Sequence, residues 1–317
     1  MSYGLKSSVV GAAAIVVLAG APDVPARAAP RQTIVTRTIY ATVTDKNDTP
    51  VTDMQATDFE IKAGGKAAEI VSVASPRIPL RIALLVADQG TGAFQRGTAQ
   101  FMQKLLGHVP AEFALYSIVV QPEKIVDFSH DGAELTAGLT RLGPRGRQTG
   151  TAQLLEAIQE VTKEVQHEDR RPVIVVMRLG GEGPTTLSGS DVRDQLRKSG
   201  AVLYVISGAG AQGSAPPQAR GTDAVSVQQG QLRDQELTEG QFALNQVLGD
   251  GAKESGGRHD QVVTTTHAKA VEQIAEELLH QYEIKYAVPD GVKPSEKLSV
   301  TTKRKGATVH APSRLPN

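Results

Sequence analysis

The sequence predicts an α/β fold in which a doubly wound, mostly parallel sheet is inserted into a small β-sandwich built from the N- and C-terminal segments. Two observations predict it. Between residues 80 and 207, apolar strand-like runs alternate with helical patterns, which is typical of a parallel sheet with helices on both faces. Both ends of the chain contain strand patterns without helices.

The two strand-only segments, residues 33–76 and 282–312, are each too small to bury an apolar core alone, because an isolated hairpin is marginal in water. Pro76 and Pro79 mark the boundary at which the first segment ends. We therefore predict that both segments fold as one sandwich around a central domain at residues 78–280. The alternative is two separate β extensions packed on that domain.

Within the central domain, each element is predicted from its hydrophobic period and its end signals. Strands are predicted at 81–87, 113–120, 124–128, 172–178, 201–207 and 258–263, and helices at 93–107, 132–141, 151–165, 190–199 and around 271–279. Thr151 can cap its helix, and Gly200 can close another. Residues 209–241 are rich in Gly, Gln and Ser, so we expect an exposed polar insertion with at most a short helix near 225–236.

Composition and the N-terminus indicate an exported protein. The 317 residues carry no net charge and no cysteine, which excludes a basic nucleic-acid footprint, disulfides and cysteine chemistry. Lys6, the apolar stretch at 9–21 and the small residues at 26–28 predict a signal peptide at residues 1–28. The stretch is shorter than the roughly 20 residues that span a bilayer, although an uncleaved anchor is the alternative. We expect a periplasmic or secreted protein without a transmembrane segment after cleavage.

Three loops are predicted to meet at the carboxyl edge of the parallel sheet, where such sheets bind ligands. They are residues 88–92 after the first strand, residues 148–151 before a helix, and residues 178–182 after a later strand. The first loop begins with Asp88 directly after an apolar run. The sequence therefore predicts a crevice with a carboxylate at its centre.

Four stretches of the chain carry a family resemblance, at residues 43–60, 79–88, 150–158 and 276–286. On them, the central domain resembles a von Willebrand factor A (VWFA) domain, and the mature chain resembles exported VWFA-related proteins of acidobacteria. The resemblance implies a metal-ion-dependent adhesion site with an aspartate and two serines on the first loop, a threonine on the second and an aspartate on the third. Asp88 and Thr151 match that pattern, whereas Gly90, Gly92 and Leu179 replace the other three ligands.

A site with so few oxygen ligands is degenerate. Mg²⁺ requires near-octahedral oxygen ligation with one or two carboxylates, so we expect no cofactor; a rearranged metal site would use Asp88, Thr151 and Glu182. Otherwise Asp88 accepts hydrogen bonds from backbone amides, and the glycines serve the turn. Arg178 could pair with Asp88, accept a partner's carboxylate or point to solvent.

Catalytic motifs are scarce. The chain has no Gly-x-Ser-x-Gly motif and no phosphate-binding loop, no histidine is evidently paired with Ser207, and we expect His259 and His267 to be exposed. We predict a non-catalytic protein-binding or assembly module of the bacterial envelope or extracellular space. The alternative is a metal-dependent adhesion protein or a hydrolase-like enzyme that uses Asp88 in a rearranged site. The predicted partner-facing residues are Asp88, Gln89, Thr91, Thr151, Arg178 and Glu182.

Overall fold

The fold was analysed in a computed structural model. It describes residues 35–144, 153–180, 185–208, 224–263, 266–289, 291–293 and 296–314. The predicted signal peptide at residues 1–28 lies outside these ranges, as do Thr151 and Glu182.

The described residues alternate strands and helices in the centre of the chain and form strands at both ends. The strands are β1 Thr36–Thr44, β2 Phe59–Ala63, β3 Lys66–Ala68, β4 Ile70–Ala74, β5 Leu80–Ala87, β6 Ala111–Ile118, β7 Pro122–Ser129, β8 Arg171–Arg178, β9 Val202–Gly208, β10 His259–Val262, β11 Tyr282–Ala287, β12 Leu298–Thr302 and β13 Thr308–His310. The helices are α1 Gln95–Leu106, α2 Gly132–Arg141, α3 Leu154–Glu164, α4 Gly189–Ser199, α5 Ala224–Asn245, α6 Ala252–Ser255 and α7 His267–Leu279.

The central sheet has six strands in the order β10-β9-β8-β5-β6-β7. All neighbouring pairs are parallel except β6 and β7, which form an antiparallel edge. The chain runs outward from β5 in one direction and then returns to its other side through β8. The carboxyl ends of β5 and β8 therefore meet at the switch point, where a parallel sheet opens a ligand crevice.

Two apolar layers cover the faces of this sheet. One layer lies under α1 and α7 and includes Leu84, Val86 and Phe101, while the other lies under α3 and α4 and includes Leu85 and Val176. Successive residues of each strand alternate between these layers because strand side chains point to opposite faces. This alternation determines the face of the sheet on which the side chain of each residue at a strand end lies.

The terminal segments form two antiparallel sheets around a third core. One sheet has the order β13-β1-β11-β4 and the other β12-β2-β3. Strand β1 pairs with β11 and β2 pairs with β12, so each sheet takes strands from both ends of the chain. Ile39, Ile284 and Phe59 belong to the shared core. The predicted fold class, a doubly wound sheet with antiparallel strands built from both termini, is confirmed.

The prediction of at most a short helix within residues 209–241 is wrong over the part that the structure describes. Helix α5 is 22 residues long and leads through a π-helical turn at Gln246–Gly251 into α6. The segment lacks an apolar stripe, but its Gln, Leu, Ala and Glu residues are strong helix formers. The end of α5 is anchored through the buried Ala243 and Leu244. Helix α3 also begins later than predicted, with Gln153 at its N-cap position.

A partly buried group of ionisable side chains, which we call the seam cluster, joins the central domain to the sandwich. It consists of Arg258, Asp260, Glu277 and the sandwich residue His310. The Arg258 guanidinium lies 2.7 Å from Glu277 and 2.9 Å from Asp260. Glu277 is only 1% exposed, and burial raises its pKa to about 7 despite the opposing effect of Arg258. The electrostatics of the sandwich and the central domain are therefore coupled.

Candidate functional site

The loop after β5 has an unusual backbone. Gln89, Gly90 and Gly92 have φ values of 56°, 74° and 72°, a region that costs energy for any residue but glycine. The Gln89 side chain donates a hydrogen bond to the Gly180 carbonyl at 3.0 Å. This bond ties the loop after β5 to the loop after β8, so the predicted first and third loops do meet.

Asp88 lies at the centre of this loop and is only 4% exposed. Its Oδ1 accepts a hydrogen bond from the Gly90 amide at 2.9 Å, as the structural interpretation of this residue predicted. Its Oδ2 is buried without a hydrogen-bond partner among the described residues. Because a buried polar atom without a partner is costly, Oδ2 marks a place where a ligand's donor would be favourable.

The described residues of this loop offer few oxygen ligands to a Mg²⁺ ion. A side chain on Gly92 would collide with Pro144, whose Cδ lies 2.7 Å from the position of an added Cβ. The Thr91 hydroxyl donates to the Asp88 carbonyl at 2.9 Å and is thus engaged in the turn. Across the described part of the chain, no group of three His, Cys, Asp or Glu residues could hold a metal ion. Asp88 contributes one carboxylate oxygen without a partner, whereas Mg²⁺ requires six oxygen ligands.

Arg178 is buried, at 4% exposed, so the solvent-facing orientation among its three predicted possibilities is wrong. Its register partner on β5 is Ala87, which places its side chain on the α3 and α4 face. Asp88 is the next residue after Ala87 and follows the opposite face. No ion pair joins Arg178 to Asp88 within the described ranges. Instead the Arg178 Nη1 donates to the Ser207 hydroxyl at 3.4 Å.

Ser207 has the histidine partner that sequence reasoning missed. Its hydroxyl lies 2.8 Å from the Nε2 atom of His259, on the neighbouring strand β10. Burial lowers the pKa of His259, and the positive charges of Arg178 and Lys253 lower it further. The parallel pairing of β9 with β10 creates this contact between residues 52 positions apart, so only the sheet order could have revealed it.

His267, at the start of α7, is buried rather than exposed as predicted. Its ring packs on Phe94 with a centroid distance of 4.6 Å. Both ring nitrogens are buried without a hydrogen-bond partner in the described structure, and burial lowers the pKa of the imidazole. A charged imidazolium would be costly in this buried position. His267 therefore packs as a neutral aromatic ring on the α1 and α7 side of the sheet.

Four of the six predicted partner-facing residues lie within the described ranges. Asp88, Gln89 and Thr91 share the loop after β5, and Arg178 donates a hydrogen bond to Ser207 on β9. Thr151 and Glu182 lie outside the described residues. Within those residues, no helix is long and apolar enough to span a membrane.

The layered architecture, with β5 in the centre of a doubly wound sheet and an aspartate directly after its carboxyl end, is consistent with a VWFA fold. No model of a protein family matches the chain. No curated protein matches it in sequence either.

Solved structures with a similar fold carry VWFA domains. Proximal thread matrix protein 1 (PTMP1) of the mussel byssus, solved with a zinc-occupied MIDAS motif, has a TM-score of 0.44 and 12% identity over 67% of this chain and 48% of its own. The vWF domain of the pili tip protein Mfa5 from Porphyromonas gingivalis has a TM-score of 0.42 and 13% identity over 64% of this chain and 95% of its own. BatB from Bacteroides thetaiotaomicron has a TM-score of 0.39 and 15% identity over 63% of this chain and 97% of its own.

The present chain spans about half the length of the mussel protein. At these identities and TM-scores the likeness concerns the fold alone. The resemblance to acidobacterial exported proteins stays a prediction.

Proposed function

We propose that this protein is an exported protein-binding module, and that it binds its partner through the loop after β5 without a divalent cation. The observation that carries the proposal is the Oδ2 atom of Asp88, which is buried and has no hydrogen-bond partner among the described residues. Its position at the carboxyl edge of β5 is the usual ligand position of a doubly wound sheet. Export is supported by the signal-peptide pattern at residues 1–28.

The partner group that suits this site is a hydrogen-bond donor, and a lysine or arginine side chain suits it best. A cationic donor pairs with a carboxylate oxygen more strongly than a neutral one. The exposed Thr91 and the half-buried Gln89 flank Asp88, and they supply polar contacts at the rim of such an interface. A partner carboxylate at this position would be repelled by Asp88.

Loss of the metal ligands supports a cation-free mode. Gly90 and Gly92 have no hydroxyl to offer, and Pro144 occupies the space that a side chain at position 92 would need. The ordered turn from Asp88 to Thr91 holds itself together with its own hydrogen bonds. It therefore does not depend on a metal ion for its shape.

The test begins with capture of partners from an envelope extract in EDTA and identification by mass spectrometry. The affinity of the purified partner is then measured by calorimetry with Mg²⁺ and with EDTA. We expect the same affinity in both buffers and at least a tenfold loss in Asp88→Asn, because the variant removes the negative charge and keeps the shape. Glu134→Gln, an exposed change on α2, is the matched control and leaves the affinity unchanged.

Two results would contradict the proposal. An affinity that collapses in EDTA and returns with Mg²⁺ indicates a metal-dependent adhesion protein instead. An affinity that Asp88→Asn does not change places the binding surface elsewhere on the molecule.

A further inference from the structure

We propose that Ser207 and His259 form a reactive serine–histidine pair that accepts the acyl group of a small ester. Arg178 ends β8, Ser207 lies near the end of β9, and His259 begins β10, so the three residues come from three adjacent parallel strands. The Ser207 Oγ lies 2.8 Å from the His259 Nε2 and 3.4 Å from the Arg178 Nη1. This site lies across the sheet from the Asp88 carboxylate and does not depend on the proposed binding function.

Two hydrogen bonds surround the Ser207 hydroxyl, and the one from Arg178 has a fixed direction. A guanidinium can only donate, so the Ser207 oxygen accepts from Arg178. Ser207 is 2% exposed, and its own proton therefore needs a protein acceptor. The His259 Nε2 is the acceptor within hydrogen-bond distance. In the tautomer whose Nε2 carries no proton, His259 accepts the hydrogen bond from the serine hydroxyl, which is the arrangement of a nucleophile and its base.

The histidine is in the protonation state that this role requires. Burial, and then the charges of Arg178 and Lys253, lower the pKa of His259. At neutral pH its ring is therefore uncharged, and the Nε2 atom can take a proton. Among the described residues, the groups that face it from the neighbouring elements are Arg178 of β8, Ser207 of β9 and Lys253 of α6.

The charge of Arg178 also favours the reaction at the serine oxygen. A guanidinium within hydrogen-bond distance stabilises negative charge on that oxygen as the proton leaves. The interior of a parallel strand is normally apolar, as Val173 to Met177 and Val202 to Ile206 are here. Arg178, Ser207 and His259 depart from this apolar pattern with three polar side chains on one face of the sheet. Packing alone does not require them.

The proposed step conserves atoms and charge. The Ser207 oxygen bonds to the acyl carbon of the ester while its proton moves to the His259 Nε2. The bond between that carbon and the alcohol oxygen then breaks, and the departing alcohol takes the proton from His259. Water then adds to the acyl carbon with its proton passing to His259, and Ser207 is released as the alcohol. The low exposure of Ser207 restricts the substrate to a small acyl group.

The experiment uses the full chain and 4-nitrophenyl acetate, with intact-mass and peptide mass spectrometry to locate an added acetyl group. We expect acetylation at Ser207 and about a hundredfold slower acetylation in His259→Gln, the size of effect that a general base supplies. The rate should fall as the pH drops through the lowered pKa of His259. Ser117, a buried serine near the carboxyl end of β6, is the internal control and should stay unmodified.

The proposal is overturned if Ser207 is not acetylated, if it is acetylated no faster than Ser117, or if His259→Gln leaves the rate unchanged. If His259→Gln does not fold, the comparison of Ser207 with Ser117 and the pH profile of the wild-type protein still decide. A rate that rises only in strong alkali would reflect an ordinary hydroxyl and would also overturn it.

Discussion

The seam cluster and the loop after β5 each contain a buried carboxylate, but the two carboxylates have different partners. In the seam cluster, Glu277 and Asp260 lie within 3 Å of the Arg258 guanidinium. In the loop after β5, one Asp88 oxygen is held by a backbone amide and the other has no partner in the described structure. An ion pair can fix two parts of a protein to each other, whereas a buried oxygen without any partner costs free energy that a ligand's donor can recover. The comparison assigns stability to the seam cluster and binding to Asp88.

The largest expected effect tests the seam cluster. At pH 8, Arg258→Met should lower the free energy of unfolding by about 3–5 kcal/mol, because Glu277 is left buried without its cation. Urea denaturation measures the loss. Arg193→Met is the matched control, since the ion pair between Arg193 and Glu254 is more exposed and such pairs contribute less than about 1 kcal/mol. A similar loss in both variants would contradict the assignment.

The second prediction concerns pH. The pKa of Glu277 rises from 4.5 to about 7 on folding, so the folded state holds a proton that the unfolded state releases between these values. The contribution of Glu277 to stability is thus fully present below pH 4.5 and declines by about 3 kcal/mol as the pH rises to 7.

Glu277→Gln removes this dependence. The free energy of unfolding of the wild type, minus that of the variant, should fall by about that amount over the same window when both are measured by urea denaturation. If this difference in unfolding free energy does not change with pH, Arg258 keeps Glu277 ionised over the whole pH window.

The third prediction concerns the space that Pro144 occupies beside the loop after β5. Gly92→Ala should lower the unfolding free energy by about 1–3 kcal/mol more than Gly65→Ala does, because the new methyl group collides with Pro144. Gly65 also has a positive φ but has no heavy atom within 4 Å of an added Cβ, so it controls for backbone strain. Thermal or urea denaturation gives both values. Equal losses would mean that position 92 can accept a side chain, and with it a metal-binding serine.

The smallest expected effect is at Asp88. Asp88→Asn should change the unfolding free energy by less than about 1 kcal/mol, because its side-chain oxygen can still accept from the Gly90 amide. Asp88→Ala should cost about 1–3 kcal/mol, because it leaves that buried amide without an acceptor. A large loss in Asp88→Asn would show that the charge itself stabilises the fold.

The sequence predicts the fold better than it predicts the polar clusters. Strand and helix periods depend on neighbouring residues, so most predicted elements match the structure within about two residues, and α2 matches at both ends. The length of α5 was missed because a helix without an apolar stripe has no periodic signal. Asp88 could be identified because it directly follows a strand.

The pairing of Ser207 with His259, and of Arg258 with Glu277, could not be identified in the same way. Both contacts require β10 to lie beside β9 in one register, and nothing local in the sequence specifies that alignment. The sequence around His259 contains one informative feature, because a charged residue precedes the histidine and another follows it. Such alternation places the histidine and its neighbours on opposite faces of a strand.

Strand β10 is only four residues long, yet consecutive residues at its start serve both polar clusters. Arg258 pairs with Glu277 and Asp260, while His259 contacts Ser207 on the other face. A slip of β10 by a single residue would turn each of these side chains toward the wrong neighbours. Together, the two clusters therefore stabilise a single register of β10, which lies at the edge of the central sheet.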